Sequence, residues 1–148
     1  GVFRRQRQMC IRDRYNNAHY GDVSAILSYG RGKNMGDGWE TRRRREPGND
    51  WLIIKLGKKS FLTKAEVDTA FFKGNYPESC SIQAINTDDI SKVKDEDWLT
   101  IIPKSILHAD KVHKFSISTK FHSTEFSHIK LNIFPDGGVS RLRIFGHI

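Results

Sequence analysis

Short runs of β-forming residues, each cut off by a turn signal, recur along most of this chain, and no stretch carries the apolar spacing of a long helix. Residues 51–56 (WLIIKL) are almost continuously apolar. Residues 61–72 alternate loosely around Ala65, Val67, Thr69 and Phe71, and 80–85 place Cys80, Ile82 and Ala84 on one side. Residues 98–102, 111–118, 126–134 and 139–145 complete seven candidate strands. In the last of these, Val139, Leu142 and Ile144 alternate with Arg141 and Arg143 over most of the run. The polar stretch 86–97 reads as a surface loop, and 22–28 as one short helical turn capped by Asp22. Many short strands divided by turn residues predict an all-β sandwich, with strand order left open.

One domain is the natural expectation for 148 residues, and 37% hydrophobic content is enough for a real core. The net charge of +8 points toward nucleic acid or an anionic membrane only at first sight. Five Arg and one Asp fall in residues 1–14; removing that +4 from +8 leaves +4, an ordinary value. Residues 1–14, with MCIRDR at their centre, have no apolar face and are expected to be a non-native or disordered segment, with the domain running from 15 to 148. Neither a signal-peptide core nor an apolar stretch of roughly 18 residues for crossing a bilayer is present. Cys10 and Cys80 make no disulfide framework, so a reducing, cytoplasmic setting is expected.

The segment 34–51 (NMGDGWETRRRREPGNDW) is the least explained by periodicity. Within 37–45 it packs Asp37, Trp39, Glu40 and four consecutive arginines, with Gly36, Gly38 and Gly48 around them. Gly-Asp-Gly favours a turn, so this reads as a loop presenting charge at the edge of a β scaffold. Arginine suits bidentate capture of a carboxylate or a urea-like oxygen; the plain alternatives are a solvated basic stretch or an RNA-binding patch. In an extended run, Arg42 and Arg44 would share one side and Arg43 and Arg45 the other. At 67–78, Asp68 and Thr69 interrupt an apolar strand that ends in the turn Lys73-Gly74-Asn75. That interruption costs burial energy unless both are hydrogen-bonded, and the plain reading is an Asp that ties down a neighbouring loop. At 135–138, Pro-Asp-Gly-Gly is a strong tight-turn signal between strands, and Arg141 just beyond is either ligand-facing or structural. The six histidines (19, 108, 113, 122, 128 and 147) show no zinc-site spacing, and His113 and His128 lie in strand patterns. No nucleophile elbow, P-loop or dinucleotide-binding glycine pattern occurs.

Taken together, 36–45 (GDGWETRRRR), 67–76 (VDTAFFKGNY) and 131–146 (LNIFPDGGVSRLRIFG) resemble the allantoicases, enzymes that hydrolyse allantoate to ureidoglycolate and urea in purine breakdown. Asp50-Trp51 and Pro77-Glu78-Ser79-Cys80-Ser81 fall between them in the family's order, and the resemblance runs from about Tyr15 to Gly146. It implies a jelly-roll β-sandwich of the galactose-binding-like kind. It also implies two repeats per chain, this one resembling the second, through Asn17-Ala-His-Tyr-Gly and the ending Arg143-Ile-Phe-Gly. A second allantoicase repeat is therefore an expected partner, with homo-oligomers possible and neither nucleic acid nor membrane required.

For allantoate, which carries one carboxylate and two ureido groups, the resemblance makes Asp37 and Glu40 the acid–base candidates. Substrate binding is assigned to Arg42, Arg43, Arg44, Asp68, Thr69, Lys73, Asn75, Asn132, Asp136 and Arg141. No cofactor or metal site is expected, although Asp37 and Asp136 are carboxylates that could join one. Two other classes stay open: a carbohydrate- or small-ligand-binding module on the same fold, and a nucleic-acid binder using the arginine run.

Overall fold

Ten strands form in the computed structural model, which describes the backbone of residues 4–5, 10–15, 23–28 and 30–148 and the side chains of 25–28 and 30–148. They are β1 (Arg4–Arg5), β2 (Cys10–Tyr15), β3 (Trp39–Glu40), β4 (Asp50–Asp68), β5 (Ser79–Ile85), β6 (Leu99–Ile106), β7 (Val112–Ser116), β8 (Glu125–Phe134), β9 (Gly138–Val139) and β10 (Arg141–His147). Every pairing among them is antiparallel. The all-β expectation is borne out.

Strand β4 organises the sandwich. Its first part, from Asp50 to Lys55, lies beside β8, with β2 on its other side from Leu52 to Leu56. Its last part, from Phe61 to Asp68, lies beside β10, with β7 on the other side from Lys64. One layer therefore runs β2-β4-β8-β5-β6 and the other β1-β10-β4-β7, sharing β4. The candidate strand 51–56 and most of 61–72 are parts of this one strand, joined through Gly57, Lys58 and Lys59. The backbone stays extended through them, and a register shift between Lys55 and Ser60 absorbs the change of direction.

The core lies between the layers. Leu52, Ile54 and Leu56 alternate inward from β4, as do Ile129, Leu131 and Ile133 from β8; Leu62, Val67, Leu142 and Ile144 face them from the other layer. Each such Leu or Ile contributes roughly 1.5–3 kcal/mol by leaving water. The expected helical turn is a 3-10 turn, Val23–Leu27, which inserts the fully buried Ile26 into this core. Residues 86–97 form the expected surface loop, with 3-10 turns at Ile90–Lys92 and Asp95–Asp97.

The amino-terminal boundary is corrected. Cys10–Tyr15 pairs along β4, so the sandwich takes in residues before Tyr15. The open N–H and C=O groups along one side of a strand accept a neighbour whatever its side-chain pattern, which is why the absence of an apolar face was misleading. Residues 1–3, 6–9, 16–22 and 29, including His19, the segment beginning at Asn17 and Asp22, lie outside the described residues.

Candidate functional site

Three loops meet at the end of the sandwich where β4 begins and β8 ends. Trp39–Glu40 pairs with Gly138–Val139, and Thr41 extends the contact by donating its N–H to the Gly137 carbonyl at 2.9 Å. Arg44 N–H donates to the Asp136 carboxylate at 2.7 Å. Gly138 N–H donates to the Asn75 carbonyl at 2.8 Å, which draws in the third loop. Residues 37–45 and 135–141 therefore share one end of the sandwich.

The two glycines of the Pro-Asp-Gly-Gly turn make this approach possible. Gly137 has φ +137°, and a Cβ there would lie 2.7 Å from Pro77 N and 2.8 Å from the Asn75 carbonyl oxygen. At Gly138 a Cβ would sit 2.0 Å from the ring of Phe72, which is fully buried beneath the turn. The turn thus clamps the Asn75 loop against the Glu40 strand.

Between these loops opens a cleft of about 860 Å³, lined by Glu40, Arg42, Arg43, Arg44, Asn75 and Asp136 from the expected set, with Thr41, Gly74, Tyr76, Pro135 and Gly137. Glu40 is half-buried, and the Asn75 side-chain amide donates to its carboxylate. Arg42 and Arg43 are exposed on the rim. Thr41 and Tyr76 were missed by the sequence reading; the first shows no signal beyond its place before the arginines, the second stands next to the Asn75 turn.

The arginines divide by partner rather than by alternation, since 41–45 is not a strand. Arg44 turns inward: its Nη1 donates to Asp50 at 2.8 Å, and Asp50 is fully buried at the start of β4. A carboxylate at that depth needs such a partner. An acid opening the apolar run 51–56 was the available clue. Arg141 is 2% exposed and donates to the Asp37 carboxylate and the Asp37 and Ser140 carbonyls at 2.7 Å each, and to Gly30 at 3.0 Å. Four of its five N–H donors go to the chain, so the structure gives it a structural partner set where a substrate-binding role was expected.

Other expected site residues are also engaged elsewhere. Asp37 accepts from Arg141 and from Lys33 N–H at 3.1 Å. The hydrogen bond from Arg141 holds its carboxyl below the usual range, outweighing the upward push of burial. It is thus kept ionised in an ion pair, a poor arrangement for proton transfer. Asp68 is gripped by Arg31 through two bonds of 3.0 Å and caps Ala70 N–H at 2.9 Å. It ties down the loop at Gly30–Lys33, the plain reading of that residue; Arg31, between two glycines, was not singled out. Thr69 is fully buried and bonds His108 and Lys111 carbonyls at 2.6 and 3.1 Å. Asn132 is buried on the outer side of β8, bonded to Ser81 at 3.3 Å and Gln83 at 2.9 Å. Lys73 is exposed and does not line the cleft. Among the described residues no three His, Cys, Asp or Glu side chains are grouped as a metal site. Burial pushes the Cys80 thiol up to about 12, so it is an inert core residue.

The cleft therefore offers one amide-oriented carboxylate opposite two guanidinium groups on the rim. Such a set can bind an anion through planar forks and exchange a proton with it.

Known proteins share both the sequence and this fold. A sequence model of the family described as "Allantoicase repeat" matches residues 10–148. The allantoicase of Dictyostelium discoideum is 52% identical over 128 residues, covering 84% of this chain and 35% of that protein. The crystal structure of allantoicase from Saccharomyces cerevisiae superposes with a TM-score of 0.82 at 38% identity, covering 93% of this chain and 40% of that one. The chain thus spans well under half the length of these relatives. A family 32 CBM of C. perfringens NanJ, solved with galactose, shares the fold at a TM-score of 0.70 and 10% identity, in keeping with the expected galactose-binding-like jelly roll. On the family match and the identity to its relatives, this chain belongs to the allantoicase repeat family.

Proposed function

We propose that this chain is one repeat of a longer cytoplasmic allantoicase that hydrolyses allantoate to ureidoglycolate and urea. The observation that carries this reading is the convergence of the three family-like loops on one cleft holding Glu40, Arg42 and Arg43. Arg42 and Arg43 take the substrate carboxylate, for which their forked donors are suited. Asp136 accepts ureido N–H groups. Glu40, oriented by Asn75, moves the proton: it takes one from the attacking water, and the departing ureido nitrogen gains one as urea leaves. A positioned carboxylate of this kind contributes ~10²–10⁴-fold. A second repeat completes the protein, and assembly into homo-oligomers is compatible with this reading.

Urea release from allantoate tests the reading, measured on a two-repeat protein that contains this chain. Glu40→Gln is expected to lower kcat/KM by ~10²-fold or more with the fold intact. Arg42→Lys or Arg43→Lys is expected to cost ~1.5–3 kcal/mol of transition-state stabilisation, since lysine cannot reproduce the fork. Full activity in all three variants would sink the assignment. A non-catalytic small-ligand module is the second reading, favoured by the fold shared with the galactose complex. It predicts saturable binding with no turnover in the two-repeat protein.

A further inference from the structure

A second cavity, of about 350 Å³, lies at the other end of the sandwich, where the bend of β4 meets the loop after β5 and the start of β8. From Ser127 beside it to Phe134 beside the first cleft is roughly 23 Å along β8, at about 3.3 Å per residue. The two are separate, and this inference stands apart from the proposed hydrolysis.

Its floor is built from buried polar side chains. Ser127 is 6% exposed and His128 4%, and both line the cavity. Thr87 N–H donates to Ser127 Oγ at 2.8 Å, and that hydroxyl lies 3.0 Å from the Thr87 carbonyl and 2.8 Å from His128 Nδ1. The Ile85 carbonyl lies 3.2 Å from the same hydroxyl, which shares its one proton between the two carbonyls while Nδ1–H donates to it. The floor is thereby fixed without help from solvent.

The walls carry unequal charge. Lys55, Lys58 and Lys59 face Asp88 and Asp89 across the opening. The acids are already committed: Asp88 pairs with Lys59 at 3.2 Å, while Asp89 accepts from Ser91 N–H at 3.0 Å and Ser91 Oγ at 2.6 Å and lies 4.0 Å from Lys92. Among the described residues no carboxylate pairs with Lys55 or Lys58. Lys55 is the register partner of His128, and both line the cavity. Two uncompensated cations above a preformed polar floor favour an anion small enough to touch both.

We propose that this cavity binds a small oxyanion, a phosphate- or carboxylate-bearing molecule, held by Lys55 and Lys58 above the Ser127–His128 floor. The test is an amide-resonance titration of the 148-residue chain with inorganic phosphate in one arm and malonate in the other. Chloride in matched ionic strength removes the effect of general screening. Saturable shifts at Gly57, Lys58, Thr87, Ser127 and His128 below ~10 mM ligand are expected, a millimolar-class site. The tighter arm identifies the source as phosphoryl or carboxylate. The exposed pair Lys55→Gln/Lys58→Gln is expected to weaken that binding about tenfold, a few-fold per cation lost. Any shifts in the Glu40 cleft should be untouched. Linear, non-saturating shifts in both arms would overturn the proposal, as would saturable binding that persists unchanged in the double variant.

Discussion

Replacing Arg141 separates a structural arginine from a ligand-binding one. Its guanidinium is 2% exposed and makes three bonds of 2.7 Å and one of 3.0 Å, to the Asp37 carboxylate and to the carbonyls of Asp37, Ser140 and Gly30. Arg141→Ala leaves a carboxylate whose side chain is only 24% exposed without its cation and removes the Arg141 donors from the Asp37 and Ser140 carbonyls, while the Gly30 carbonyl keeps Arg143. Breaking a buried pair from one side costs about 3–5 kcal/mol. With a slope of about 2 kcal/mol per molar urea, the unfolding midpoint should fall by roughly 1.5–2.5 M. Arg141→Lys keeps the charge but cannot span all four acceptors, so about half that loss is expected. The pH dependence follows the same pair. The Asp37 carboxyl is held below its ordinary value of 3.8, so the pair's stabilisation is present above that pH and is lost as pH falls through the lower folded value. That acid limb should vanish in Arg141→Ala. A midpoint within error of the parent, combined with weakened ligand binding, would refute the structural role and return Arg141 to the substrate.

Further outcomes follow from the same geometry. Gly138→Ala drives a methyl into the Phe72 ring and should destabilise by about 1–3 kcal/mol, whereas Gly74→Ala, with nothing within 4 Å of the added carbon, should leave the thermal midpoint unchanged. His113 donates from Nδ1 to the Val67 carbonyl at 3.0 Å and accepts His108 N–H on Nε2 at 2.8 Å, so only the neutral ring fits. Burial first, then nearby His108 and Lys111, depress its pKa below 6.5, against Val67 and Asp68. Its contribution is therefore full above pH 6.5 and lost as pH falls toward the folded value, a slope in urea midpoint that His113→Asn should abolish. Deleting residues 1–9 should barely move the thermal midpoint, while deleting 1–14 strips the partner of Leu52–Leu56 and should lower it by several degrees; equal midpoints would show that β2 contributes nothing.

Much of the scaffold was readable because its causes are local. Alternation at 129–133 and the run at 51–56 depend only on neighbours in the chain, and both became core strands. That 51–56 and most of 61–72 belong to one strand was not legible, for an equally physical reason. Turn-forming composition permits a reversal but does not require one, and pairing with β8 resumes at Ser60. The Pro-Asp-Gly-Gly turn was legible as a turn. That its glycines serve close packing on Phe72 and the Asn75 loop was not, since those contacts lie some sixty residues away in the chain.

The sequence by itself determined the β class, the turn chemistry and the three loops that carry the charged residues. Four consecutive arginines are chemically identical in a one-dimensional reading, so nothing local could say which would meet a ligand. Tertiary structure sorted the charges by partner, placing Asp50 and Asp136 against Arg44, Asp37 against Arg141 and Arg31 against Asp68, while Arg42 and Arg43 lie on the rim of the cleft. The reason is that a charge is structural or functional according to what desolvates and pairs it. Two of those partners, Asp37 for Arg141 and Asp136 for Arg44, come from segments about a hundred residues apart in the chain and are neighbours only after folding.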